Sequence, residues 1–364
     1  MNLQSNVGKD RSVNAVWGLI EQDRQGMLAN LPFYNRYWTF QAGLRTRRTI
    51  AQMQRQGQMD ALFFHTQVMA VLATNWVKRI PSIISLDATP LQYDELGKFY
   101  DHERGPKWAE EIKWRLNRNC FYHAHHLVTW SAWAKQGLVD AYEVPADKIT
   151  IIPPGINIHE WATSQPRRTG TGPVKILFVG GNLKRKGGAD LIAAFRTLRA
   201  ELTNRSGAAG EEPPLEIELH MVTHSALVAE PGVFHYEDME PNSPALRHLF
   251  HECDIFCLPT YGDCLPISLV EASAAGLPCI TTHVGGTAEI IEDQKNGFLL
   301  QPGDQEALTT HLRCLITNQQ LRLQQGREAY ARVCRRFDAE QNTVQVLELL
   351  KRAHEASGNK KKRE

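Results

Sequence analysis

No run in this chain approaches the roughly 18 to 20 apolar residues that crossing a bilayer requires. The start, Met1-Asn-Leu-Gln-Ser-Asn6, lacks the apolar stretch of a secretory leader, so a cytoplasmic location is expected. A charge excess is missing too: 41 Lys and Arg face 40 Asp and Glu, and a formal net charge of +1 gives no global field to make nucleic acid a partner. Nor is there a disulfide framework. Seven cysteines scattered from Cys120 to Cys334 in 364 residues read as reduced, buried thiols. Two absences are local. Tryptophan stops at Trp161, with all eight in the first half, and residues 24–59 hold six arginines (Arg24, Arg36, Arg45, Arg47, Arg48, Arg55) but no acid. What is present, 42% hydrophobic and 22% charged residues, excludes a disordered or collagen-like chain and at this length favours two domains.

From about residue 60, short apolar runs alternate with helical patterns, which predicts parallel sheets with helices on both faces. The first series runs through Ala61 to Phe64, Ser82 to Leu86, Leu127 to Trp130 and Ile149 to Ile152. A Ser, Pro, Arg, Thr and Gly stretch over 163–173 reads as a linker. The second series then restarts with Val174 to Val179, Leu215 to Val222, Asp254 to Leu258, Pro278 to Thr282 and Gly297 to Leu300. These divide the chain into a first domain, 1–162, a second, 174–337, a helix over 338–357 and a disordered charged tail over 358–364. In the Arg-rich stretch, Phe40, Leu44, Ile50 and Met53 approximate one apolar stripe of a basic helix. That stripe is either a solvated face over a Trp-rich core or a peripheral contact of residues 24–59 with anionic lipid or an acidic acceptor.

Two segments carry chemistry. Lys175 to Val179 runs into Gly180-Gly181-Asn-Leu-Lys184-Arg185-Lys186-Gly187-Gly188, with a helical pattern starting near Asp190. Strand, glycine turn and helix start form an anion site: glycines let the backbone approach a phosphate, amides point outward, and Arg185 and Lys186 add charge. The spacing is neither that of a P-loop nor that of a dinucleotide fingerprint. The second segment runs from Leu258 to Glu289. A strand ends near Pro259, a loop carries Asp263, and a helix from about Ile267 holds Glu271 one turn in. This brings two carboxylates and a helix N-terminus to the carboxyl ends of the strands.

Arg185-Lys-Gly187, Asp263 with Glu271, Glu271-Ala-Ser-Ala-Ala-Gly-Leu-Pro278 and Gly285-Gly-Thr-Ala-Glu289 stand in one order and spacing. Together with Ile149-Thr-Ile-Ile-Pro-Pro-Gly-Ile-Asn157, they make the chain resemble the GT-B retaining glycosyltransferases of family four (glycosyl transferases group 1). The resemblance implies an α/β fold of two Rossmann-like domains facing a cleft, with a C-terminal crossover helix. It also implies transfer of a hexosyl unit from a nucleoside diphosphate sugar to a glycan or lipid-linked acceptor, with retention and without a metal or other cofactor.

By matched position, Arg185 and Lys186 would hold the diphosphate beside Gly180 and Gly181. Glu271 would bind the donor ribose, and Asp263, shorter than the family glutamate, would lie near the transferred sugar. Backbone around Cys264, Leu265, Pro266 and Ile267 would face sugar and phosphate, although Pro266 has no N–H to give. His65, ending the strand Asp60 to His65, matches a histidine that approaches the sugar from the first domain. Gly181 stands where many relatives carry an arginine, a role that Arg185 takes in this reading. The glycine-rich first loop of the family has no counterpart in residues 1–59, and Val13 to Ile20 is too polar for a first strand. This keeps open a different class, a non-catalytic sugar-nucleotide or glycan-binding subunit. Cys120-Phe-Tyr-His123-Ala-His125-His126 lacks zinc spacing, and Asp101-His-Glu103 and Asp238-Met-Glu240 are too short to mark a metal site.

Overall fold

The computed structural model describes residues 2–20, 38–100, 104–161, 172–204 and 215–361. The chain forms two compact units, Met1–Gly155 with Ala339–Glu364, and Ile156–Asp338. The first unit therefore ends at Gly155, before residue 162, and the reason is local. Ile156 pairs with Asp338, and Trp161, 1% exposed, packs edge-on against Phe250 with ring centroids 5.3 Å apart, so both side with the second unit. The linker expected over 163–173 falls largely outside the described residues.

In the first unit, strands β1 (Leu62–Phe64), β2 (Ser82–Leu86), β3 (His126–Thr129) and β4 (Ile149–Ile151) form a parallel sheet in that order. Every residue of β2 is buried, which is why it reads as an uninterrupted apolar run rather than an alternating one. One sheet face places Ile83, Val128 and Ile152 against Val346 of the helix Ala339–Lys361. The other places Ile84, Leu86 and Leu127 among Val77, Phe121 and Tyr142. The terminal helix runs through Gly358 to Lys361, so the disordered tail expected from residue 358 is helical over most of that span. Residues 13–20 form no strand.

The helix Trp38–Gln56 corrects the expected stripe. It buries Gln41, Ala42, Gly43, Thr46 and Ile50, leaving Phe40 47% exposed. Gly43 sets this face, because a Cβ there would stand 2.6 Å from that of Leu72, and the helix needs a small residue to approach so closely. Arg24 and Arg36 lie outside the described residues.

The second unit holds β5 (Val174–Val179), β6 (Ile217–Val222), β7 (Val233–Tyr236), β8 (Ile255–Leu258), β9 (Cys279–Thr282) and β10 (Gly297–Leu300). All are parallel, in the order β10-β9-β8-β5-β6-β7. The order reverses between β5 and β8. In open α/β sheets a ligand crevice opens beyond the carboxyl ends of the strands at such a switch point. The edge strand β7 escaped the sequence reading because it is short and only half-buried.

Candidate functional site

The two segments that carry chemistry leave β5 and β8 side by side at this switch point. After β5, the turn carries Gly180, Gly181, Arg185 and Lys186 and ends at Gly187, from which the helix Gly188–Asn204 starts. Gly187 has φ +71°, and a Cβ there would lie 2.0 Å from the carbonyl oxygen of Pro259. Only glycine tolerates both the left-handed backbone and that approach, so Gly187 pins the cationic turn to the end of β8. Further ties hold it. Tyr261 N–H donates to the Arg185 carbonyl at 2.8 Å, the Asn182 side chain accepts from Arg185 N–H at 2.8 Å, and Tyr261 Oη donates to Asp190 Oδ2 at 2.7 Å.

The side chains converge across this seam. Lys186 Nζ donates to Asp263 Oδ2 in a tight ion pair, and Arg185 Nη1 donates to the Gly262 carbonyl at 2.8 Å while lying 4.0 Å from Asp263 Oδ1. These side chains are only 12%, 18% and 11% exposed for Lys186, Arg185 and Asp263, so the charges meet where water screens weakly. Gly180 leaves room for Lys186, whose Cγ would be 2.9 Å from an added Cβ. Gly181 stands at the exposed rim, where a Cβ would meet only His224.

The loop carrying Asp263 is fixed from its other side. Gly285, at φ +52°, lets the chain pass so close that a Cβ would be 2.1 Å from the Asp263 carbonyl, and Gly286 N–H donates to the Cys264 carbonyl at 2.7 Å. Cys264 and Leu265 are buried. Pro266 then precedes the helix Ile267–Ala274 and offers no side-chain cap; its carbonyl accepts from Leu269 N–H at 3.1 Å, which leaves the Ile267 and Ser268 amides facing an external acceptor.

Glu271 lies one turn into this helix and takes no part in the ion pair. Burial alone pushes its carboxyl up to about 7, with no nearby charge opposing it, and no described residue hydrogen-bonds its carboxylate. Burial of this kind disfavours the charged carboxylate unless a hydrogen-bond donor meets it.

His65 belongs to the first unit, at the carboxyl end of β1. Its exposed ring lies 5.6 Å from that of Trp130, whose indole N–H donates to Ser85 Oγ at 2.9 Å. Desolvation by the surrounding protein lowers the His65 pKa, partly opposed by the charge of Asp87, and favours the neutral imidazole. Thus Arg185, Lys186 and Asp263 are brought together, with Gly180, Cys264, Leu265, Pro266 and Ile267 framing them. Sequence reasoning missed Tyr261, Asp190 and the wedge at Gly285. The first two carry no motif, but the G-G-x-x-E match already held Gly285.

Among the described residues, no three His, Cys, Asp or Glu side chains converge as metal ligands would. Cys120 is buried, its thiol pushed up to about 12, while His126 pairs with Thr150 at 2.8 Å.

Two family descriptions match the chain: "Glycosyl transferases group 1" over residues 160–332 and "Glycosyltransferase Family 4" over residues 19–160. The chain belongs to the group 1 glycosyltransferases, with the GT-B fold. Among curated relatives, glycogen synthase of Mycobacterium tuberculosis is 28% identical over 214 residues, covering 58% of this chain and 50% of the relative. D-inositol 3-phosphate glycosyltransferase of Stackebrandtia nassauensis is 26% identical over 209 residues, covering 53% and 46%. The chain thus spans about half the length of the curated relatives it matches. Among solved structures, sucrose-phosphate synthase of Thermosynechococcus elongatus aligns with a TM-score of 0.70 at 15% identity, covering 91% of this chain and 82% of that one. Anabaena HepE in complex with UDP aligns with a TM-score of 0.64 at 17% identity, covering 84% and 81%. Among the described residues, no helix is long and apolar enough to cross a membrane.

Proposed function

We propose that the chain moves a hexosyl unit from a nucleoside diphosphate sugar to a glycan or lipid-linked acceptor, with retention and without a bound metal, at the cytoplasmic side of a membrane. One observation carries the reading: Arg185 and Lys186, pinned by Gly187 to the end of β8, meet Asp263 and stand near an uncapped helix N-terminus at the switch point of the sheet. That is a site for a diphosphate with a sugar attached. In this reading Lys186 and Arg185 hold the diphosphate with the open amides beyond Leu265, Asp263 accepts hydrogen bonds from the sugar, and Glu271 accepts them from the ribose. HepE has been solved with UDP and with UDP-glucose, which makes uridine donors the first to try.

As the bond between the anomeric carbon and the diphosphate oxygen breaks, negative charge grows on that oxygen. The fixed cations and amides stabilise it without reorganising. The acceptor oxygen attacks on the face the diphosphate leaves, and its proton passes to the departing phosphate oxygen, so no protein base is assigned.

A thermal-shift screen of UDP, GDP and ADP with their sugars tests the assignment. One nucleotide class raises the melting temperature of the wild type, and Glu271→Ala and Lys186→Ala each shrink that rise. Equal stabilisation of all three proteins would refute the site. The binding-subunit reading draws on the lack of a strand over residues 13–20, and it predicts nucleotide binding with no release of UDP from the donor when acceptors are supplied.

A further inference from the structure

An amphipathic surface helix turns its polar side outward. The helix Lys107–His123 does so only in part. Its inner face buries Asn117, Cys120 and Phe121. Its outer face presents Trp108, Ile112 and Leu116 at intervals of four, 69%, 50% and 40% exposed, with Tyr122 near its end 57% exposed. Single exposed apolar residues are ordinary, but a stripe of them along one helix face marks an interaction surface.

The charge around the stripe identifies what it meets. Along the helix Lys113, Arg115 and Arg118 are paired with Asp94, Glu111 and Glu143, so the positive charge it offers outward is that of exposed Arg104 and Lys107 at its start. Exposed Lys78 and Arg79 end the helix Thr74–Arg79, which packs on this one, and Lys148 Nζ lies 5.5 Å from the centre of the Tyr122 ring. The Arg-rich helix Trp38–Gln56, with exposed Arg47, Arg48 and Arg55, packs on the same connecting segment, residues 67–73. In a chain whose net charge is only +1, this concentration is local. A second copy would set like charge against like. An anionic bilayer complements both components, since its headgroups pair with the cations and its boundary layer takes indole and aliphatic side chains.

We infer that the outer face of the helix Lys107–His123 docks on an anionic lipid surface, with Trp108, Ile112 and Leu116 entering the boundary between headgroups and acyl chains. This moves the apolar part of the contact away from residues 24–59 and leaves the Arg-rich helix a purely electrostatic share. The inference rests on the lipid-linked side of the proposed function. Donor binding is measured separately, so either reading can fail while the other stands.

The test is flotation of the full chain with vesicles of phosphatidylcholine alone or of equal parts phosphatidylcholine and phosphatidylglycerol. The wild type is expected to float with the anionic vesicles, far less with the neutral ones, and less as salt is raised. The triple variant Trp108→Ser, Ile112→Ser, Leu116→Ser is expected to partition at least about tenfold more weakly while keeping its thermal shift with nucleotide. If the triple variant melts early, the single exposed change Ile112→Glu is expected to give a weakening of the same sign. A wild type that stays off anionic vesicles overturns the inference, as does a correctly folded variant that binds like the wild type. Concentration-dependent dimerisation that the variant abolishes, without vesicle binding, also overturns it and assigns the stripe to a second copy.

Discussion

Lys186 and Asp263 are 77 positions apart in the sequence, yet their side chains form one tight ion pair joining the end of β5 to the loop after β8. In the absence of ligand, the lysine proposed to hold a diphosphate is occupied by the carboxylate proposed to face the sugar. Binding of the donor must therefore exchange one anionic partner of Lys186 for another, and Asp263 sets the strength of that competition.

Replacing Asp263 with Asn removes the competing charge. UDP is expected to bind Asp263→Asn as tightly as the wild type or several-fold more tightly by titration calorimetry, while sugar transfer falls by at least about tenfold. Lys186→Met is expected to act in the opposite sense. It strands a largely buried carboxylate, costs on the order of 3 kcal/mol in denaturant unfolding, and weakens UDP binding.

Gly187→Ala probes the seam itself. The added methyl would meet the Pro259 carbonyl at 2.0 Å in a left-handed backbone. The expected cost is on the order of 2 to 4 kcal/mol in denaturant unfolding, with loss of the nucleotide thermal shift even though no ligand-facing group has changed. Gly181→Ala, where the same methyl meets only the edge of His224, is the control and is expected to cost under about 1 kcal/mol.

The raised Glu271 carboxyl, at about 7, gives a prediction with a definite sign. A carboxyl that holds its proton more tightly folded than unfolded contributes stability that is present below about pH 4.5 and is lost as pH rises through about 7. Between those limits the ligand-free protein should lose on the order of 2 kcal/mol that Glu271→Gln retains, measured by denaturant melts across that range. Ribose hydroxyls favour the charged form, so UDP should bind the wild type more tightly as pH rises through 7. The titration of UDP itself is common to both proteins and cancels in the comparison with Glu271→Gln.

Trp161→Ala tests where the second unit begins. The indole is buried against Phe250, and its removal is expected to cost about 3 to 5 kcal/mol by denaturant unfolding.

How far the sequence revealed all this follows from the kind of pattern involved. Fully buried strands such as β2 and β8 announce themselves as apolar runs, and Gly187 was visible because a turn between cationic residues and a helix calls for glycine. The weakly buried β7 offered no such run. The stripe expected on the Arg-rich helix holds at Ile50 but not at Phe40, because that helix packs chiefly through Gly43, Ala42 and Thr46, small residues that a count of large apolar side chains overlooks. The end of the first unit at Gly155 is likewise not written in local composition. The pairing of Ile156 with Asp338 links positions nearly two hundred residues apart, and composition carries no trace of it.

Ile156 N–H donates to the carbonyl of Phe337 at 2.9 Å, so the chain enters and leaves the second unit at neighbouring points. The second unit, the half proposed to bind the donor, is in effect a cassette whose two cut ends already touch. Grafting the corresponding stretch of another group 1 glycosyltransferase between Gly155 and Ala339 would require no spacer, which makes exchange of sugar-nucleotide preference a matter of splicing rather than of redesigning a pocket.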